Sequence, residues 1–233
     1  MDWLDILSRD GHALSAAARH DPAAAVPACP GWSVDDLLRH IGGIHHRTAL
    51  IVGERRTARP EPSEYAAPHG NALGWYEMGL ANLLDVFRAT DPDQECWTFG
   101  DSRPAAWWMR RMAHETAIHR LDAEQATGGV HSFAPDFAVD GIDEALELAS
   151  YFRRPQDAAP GTVHLHATDV EGEWLVTFGE QLTITEGHAK GDAAVRGPAD
   201  HLYRWAWGRA SQDGLEVFGD QAAVDRLRAR LSI

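Results

Sequence analysis

The hydrophobic period changes once along this chain, and that change constrains its fold more than any other feature. Up to about Tyr151, apolar residues recur at helical spacing, as in Trp3, Leu4, Ile6, Leu7 and Leu14, or Val34, Leu37, Leu38, Ile41 and Ile44. Beyond Pro160 they alternate singly with polar residues: Val163, Leu165 and Ala167, then Trp174, Val176 and Phe178, then Leu182 and Ile184. A helix buries a stripe and a strand buries every second residue, so the two patterns belong to different layers. The expected fold class is therefore α+β, a four-helix bundle followed by a small α+β domain with an antiparallel sheet.

Punctuation supports that division. The first helix breaks at Asp21-Pro22, and a second opens at about Val34, where Ser33 followed by Asp36 has the spacing of a capping box. Third and fourth helices are predicted over roughly Ala72–Ala89 and Ala105–Ala126, with a further one over about Pro135–Tyr151. The stretch from Arg153 to Gly161 holds two prolines and small residues typical of a linker, which places the domains at 1–152 and 161–233. After the strands the chain returns to helix at about Pro198–Arg209, has a short strand over Leu215–Phe218, and closes with a helix over Asp220–Leu231.

Composition excludes several classes. The chain has 233 residues, 44% hydrophobic and 24% charged, the balance of an ordinary globular protein. A formal charge of −14, with no basic patch interleaved with aromatics, argues against nucleic acid as a partner. No run approaches a membrane span, and Met1 to Ser15 lacks a basic start followed by an apolar core, so the cytoplasm is the expected location. The two cysteines, Cys29 and Cys96, lack CxxC spacing and read as reduced, packed thiols, although Cys29 precedes a helix N-terminus. Lys190 is the only lysine, an Arg-for-Lys bias expected of a GC-rich genome.

Chemistry concentrates in the fourth helix. At 100° per residue Glu115 and His119 lie within about 40° of each other, on a face flanked by Trp108, Met112 and Ile118. A carboxylate in such a stripe must be paired, neutralised or bound. Two answers fit the spacing: an ion pair of Glu115 with Arg111, one turn earlier, beside a core histidine, or a divalent metal held by Glu115 and His119. His40, bordering the stripe of the second helix, is the candidate third ligand, with His45 as its substitute and His46 pointing away to solvent. Asp122, one turn past His119, is placed to orient that imidazole. His114-Glu115 is not an HExxH motif, because the next histidine is His119. His164 and His166 alternate with apolar residues, which predicts an exposed strand face.

The segments Cys29-Pro30-Gly31-Trp32-Ser33, Leu38-Arg39-His40 and Arg111 through Glu124 together resemble the mycothiol-dependent maleylpyruvate isomerase family. The resemblance covers nearly the whole chain. It implies a DinB-like metal-binding bundle followed by a domain similar to sterol carrier proteins, to which Gly197-Pro198-Ala199, Trp207-Gly208-Arg209 and Gly219-Asp220 correspond. It also implies zinc held by His40, Glu115 and His119, mycothiol as thiol cosubstrate, and an active-site arginine from the C-terminal domain, for which Arg209 is the first match and Arg204 the second.

The expected function is that of an enzyme. Its metal activates mycothiol as a thiolate for addition to an electrophilic small molecule, in the manner of maleylpyruvate isomerase or of a thiol S-transferase. The expected partners are mycothiol and a small-molecule substrate, and the expected assembly is a monomer or homodimer. The rival expectation is a metal-stabilised small-molecule-binding module or regulator without turnover, because one fold serves many reactions.

Overall fold

The computed structural model describes residues 1–99, 101–129, 132–151 and 160–231. Two compact units result, Met1–His131 and Ser132–Ile233.

The first unit is the bundle. Its helices are α1 (Trp3–His20), α2 (Val34–Gly53), α3 (Ala72–Ala89) and α4 (Ala105–Ala126). Helix α2 packs on α3 and α4, and α1 packs on α4 and α3, which closes a ring of four. Asp2 caps α1 by accepting from the amides of Leu4 and Asp5. Ser33 and Asp36 form the capping box anticipated for α2: the Asp36 amide donates to Ser33 Oγ at 3.2 Å and the Ser33 amide to Asp36 Oδ2 at 2.9 Å.

Leu7, Leu14, Leu37, Leu38, Ile41, Ile51, Leu83, Phe87 and Trp108 fill the bundle core, each at most 1% exposed. Glycine permits the close α2–α3 approach, since a Cβ at Gly42 would stand 2.6 Å from the Trp75 ring and one at Gly79 would stand 2.8 Å from the His46 ring. Between α3 and α4 the chain forms a small antiparallel ribbon of β1 (Glu95–Trp97) and β2 (Ser102–Pro104), which hydropathy alone did not reveal.

Helix α4 differs from its neighbours because it is buried on nearly every side, including Arg111, His114, Glu115, His119, Arg120, Asp122 and Glu124. The expected apolar stripe is thus only part of its environment. Polar groups there find partners within the bundle, as Arg120 does with Asp10 and Glu124.

The second unit begins with α5 (Pro135–Tyr151), followed by β3 (Thr162–Ala167), β4 (Glu173–Thr177), β5 (Thr183–Glu186), β6 (Ala193–Gly197), α6 (Ala199–Ala206), β7 (Glu216–Gly219) and α7 (Gln221–Leu231). The anticipated β3–β4–β5 meander forms, and the sheet order is β5-β4-β3-β6-β7. One pairing departs from the all-antiparallel expectation: β6 runs parallel to β3, with Val195 opposite Leu165, so the sheet is mixed. The short β6 segment Ala-Ala-Val-Arg-Gly carries little alternation, which hid it.

Helix α5 packs on α6 and α7 and therefore groups with the sheet rather than with the bundle. The units accordingly divide near residue 131, whereas the sequence reading divides them near 152. The linker stretch 152–159 lies outside the described residues. Among the described residues no helix is long and apolar enough to cross a membrane.

Two histidine expectations are corrected. His164 is 5% exposed, because Glu173 and His188 cover the face of β3 that it occupies. His46 is half-buried, stacked on Trp75 with ring centroids 4.7 Å apart, instead of reaching solvent.

Candidate metal centre

Helix α4 supplies two of three converging ligand atoms and α2 the third. Four residues advance a helix by about one turn, so Glu115 and His119 leave α4 side by side. Glu115 Oε1 lies 3.4 Å from His119 Nε2 and 3.7 Å from His40 Nε2. All three atoms fall within 4.8 Å of one another. The His40 and His119 rings meet edge to face, with centroids 5.1 Å apart.

The two carboxylate oxygens of Glu115 have separate tasks. Arg111 pairs with Oε2, which realises the ion pair that the sequence offered as an alternative to metal. Oε1 remains turned toward the imidazoles, so the two readings coexist. Burial pushes the Glu115 carboxyl up, but Arg111, His119 and His40 outweigh it and hold the group well below the usual carboxylate range. The charged form a cation needs is thereby secured.

Asp122 stands behind His119 as the spacing predicts. Its Oδ2 lies 2.9 Å from His119 Nδ1, and the carboxylate is wholly buried. That contact turns Nε2 toward Glu115. Burial pulls the His119 pKa down, but Asp122 and Glu115 reverse the sign and raise it.

His45, the substitute for His40, lies elsewhere. It is fully buried in the bundle, with Nε2 2.9 Å from Thr116 Oγ1 and its ring against Tyr76. Burial depresses its pKa to about 3. His40, by contrast, has 39% of its side chain exposed and supplies the solvent-facing side of the triad.

The Cys29–Trp32 loop closes over this cluster, a role that spacing alone did not reveal. Trp32 packs on His40 with centroids 5.0 Å apart, and Cys29 Sγ lies 4.0 Å from Asp122 Oδ2. The loop is held by a hydrogen bond from the Val26 amide to the Trp32 carbonyl at 2.9 Å. Beside His40 opens a cleft of about 430 Å³ whose wall includes Arg39, Arg47, Arg59 and Tyr65. The Nε of Arg47 is buried there and has no hydrogen-bond partner among the described residues.

The two arginines singled out in the C-terminal unit differ in how they are held. Arg204 pairs with Asp200 one turn earlier on α6, at 2.5 Å. Arg209 follows α6 and donates through Nη1 to the Trp207 carbonyl at 2.7 Å.

Comparison with known proteins is consistent with this architecture. Residues 4–124 match the model of the mycothiol maleylpyruvate isomerase N-terminal domain, and residues 136–226 match that of the MDMPI C-terminal domain. A crystal structure of the mycothiol-dependent maleylpyruvate isomerase aligns with a TM-score of 0.66 at 17% identity, covering 93% of this chain and 91% of that one. A histidine-to-alanine mutant of that enzyme aligns with a TM-score of 0.67 at 17% identity, covering 92% and 91%. At that identity the likeness establishes a shared fold. Curated proteins give no match to the sequence.

Proposed function

The chain belongs to the mycothiol maleylpyruvate isomerase family, and from that membership we propose a metal-dependent enzyme that presents mycothiol as a thiolate to an electrophilic small molecule. The observation that carries the reading is Glu115 Oε1, left facing the Nε2 atoms of His40 and His119 while Arg111 occupies the other oxygen. Two imidazoles and a carboxylate are an ordinary donor set for zinc, with room left for one more ligand. A divalent cation, zinc being the expected one, supplies Lewis acidity that lowers the pKa of a coordinated thiol.

The chain's own residues do the rest. Asp122 is a positioning residue: it fixes which ring nitrogen of His119 carries the proton and which is offered for coordination. Arg111 compensates the buried charge of Glu115 and keeps its side chain from turning. Trp32 limits the orientations open to His40. Arg47, always charged and facing the cleft beside His40, supports a substrate or thiol bearing negative charge.

From the resemblance to the family, Arg209 is assigned the anchoring of a substrate carboxylate by a bidentate contact, with Arg204 as the second match. Addition of the thiol to a conjugated double bond, rotation about the resulting single bond and loss of the thiol would be isomerisation. Release of the adduct would be S-transfer. The compartment proposed is the cytoplasm.

The test is zinc content and mycothiol affinity of His40→Ala and Glu115→Ala beside the wild type. Loss of the bundle's own equivalent of zinc and of thiol binding together is expected. Normal zinc loading in both variants would sink the assignment.

A further inference from the structure

The C-terminal unit holds a second convergence of imidazoles on a carboxylate, independent of the bundle. His164 Nε2 lies 2.9 Å and His188 Nδ1 2.8 Å from the same oxygen, Glu173 Oε2. The three ligand atoms fall within 4.8 Å of one another. His166 Nδ1 stands 3.9 Å from that oxygen, so a third imidazole borders the group.

Sheet register builds this cluster. His166 pairs directly with Glu173 across β3 and β4, and His164, two residues earlier, shares its face. The Gly187 amide donates to the Glu173 carbonyl at 2.9 Å, which ties the end of β5 to the start of β4. Gly187 then turns through φ +102°, a conformation that glycine adopts without a side-chain clash, and this brings His188 back over Glu173.

We propose that His164, Glu173 and His188 form a binding site for a divalent transition cation. Each member is an ordinary ligand for zinc and its neighbours, and imidazole selects them over magnesium or calcium. In tetrahedral coordination, ligand atoms about 2.1 Å from the metal stand roughly 3.4 Å from one another, so the observed pairs need only a slight opening to admit the ion.

Burial fixes one side of the site: the His164 side chain is 7% exposed and Glu173 is 26% exposed, while His188 lies at the surface with 81% exposed. His188 is therefore the gate through which a cation enters. The site borders a cleft of about 760 Å³ whose wall includes His166, Asp143, Glu171 and Glu186. That acidic wall concentrates cations and leaves space for a further ligand on the metal.

The test uses the full chain, stripped with chelator and titrated with Zn²⁺ or Co²⁺ alone. Calorimetry, metal analysis after desalting and Co²⁺ ligand-field absorption provide the readouts. His40→Ala/His119→Ala removes the bundle donors, and His188→Ala is added on that background. Because His188 is exposed, its replacement spares the core, and circular dichroism verifies the fold.

The expected result is one equivalent of Zn²⁺ bound by the double variant, weakened at least about tenfold in the triple variant, with Mg²⁺ failing to compete. Equal binding by the double and triple variants, or none by the double variant, would overturn the proposal. The single variant His188→Ala keeps the two questions apart, since any zinc lost on removing His40 from it belongs to the bundle.

Discussion

The bundle cluster and the sheet cluster contain the same parts, two imidazoles and one carboxylate, but hold them differently. In the bundle, Arg111 occupies one oxygen of Glu115, and Asp122 fixes the tautomer of His119 from a fully buried position. In the sheet, one oxygen of Glu173 receives both imidazoles, and no arginine or lysine pairs with that carboxylate among the described residues. The bundle group is preorganised, with its charges already compensated, while the sheet group is half open and completed by an exposed histidine. The donor set alone does not fix a cluster's affinity; the residues behind the donors do.

The largest expected contrast comes from removing each carboxylate. Glu115→Ala breaks the buried ion pair with Arg111 and should lower the unfolding free energy by about 3 kcal/mol as well as abolish metal uptake by the bundle. Glu173→Ala should abolish binding at the sheet with little change in unfolding. Chemical denaturation of the two stripped variants measures both. Equal destabilisation would break the distinction drawn between the clusters.

Asp122→Asn tests the supporting contact by itself. It should weaken zinc binding by the bundle by about 10- to 100-fold without loss of fold, read by competition with a chelating dye. The same substitution should leave the affinity of the sheet cluster unchanged.

His45 separates a core imidazole from a ligand. Its pKa of about 3 lies below the ordinary value of 6.5, so the unfolded chain binds a proton at this site between those values and the folded chain does not. Its contribution is therefore undiminished above pH 6.5 and is lost as pH falls toward 3, by up to about 1.4 kcal/mol per pH unit. Neighbouring Glu115, His46 and His119 modulate the effect electrostatically. Denaturation across that range should show a limb that His45→Asn flattens, with zinc content at neutral pH unchanged.

Gly187→Ala carries the smallest effect. The added methyl meets no atom within 4 Å, so only the positive φ resists it, at about 1 kcal/mol. Thermal unfolding should shift slightly, and Co²⁺ binding by the sheet cluster should weaken as His188 loses its placement.

The same contrast explains what the sequence made legible. Glu115, His119 and Asp122 sit one turn apart on one helix, so helical geometry alone brings them together. Choosing His40 over His45 needed the resemblance, because both border the α2 stripe, and in the structure only His40 faces Glu115 Oε1. The bundle helices announced themselves through long periodic runs and caps, and the β3–β5 meander through alternation. Hidden were features that depend on distant pairing: the short β6, the grouping of α5 with the sheet, and the position of Cys29 beside Asp122. His164, Glu173 and His188 come from β3, β4 and the turn after β5, so their meeting depends on strand register and one glycine turn.

The central claim is that the bundle triad holds the metal to which the thiol binds. Its most direct test is Co²⁺-loaded protein titrated with mycothiol and followed by sulfur-to-cobalt charge-transfer absorption. The account predicts a band that saturates with thiol in wild type and in His188→Ala and is absent in His40→Ala. A band of undiminished intensity in His40→Ala, or its loss in His188→Ala alone, would contradict it.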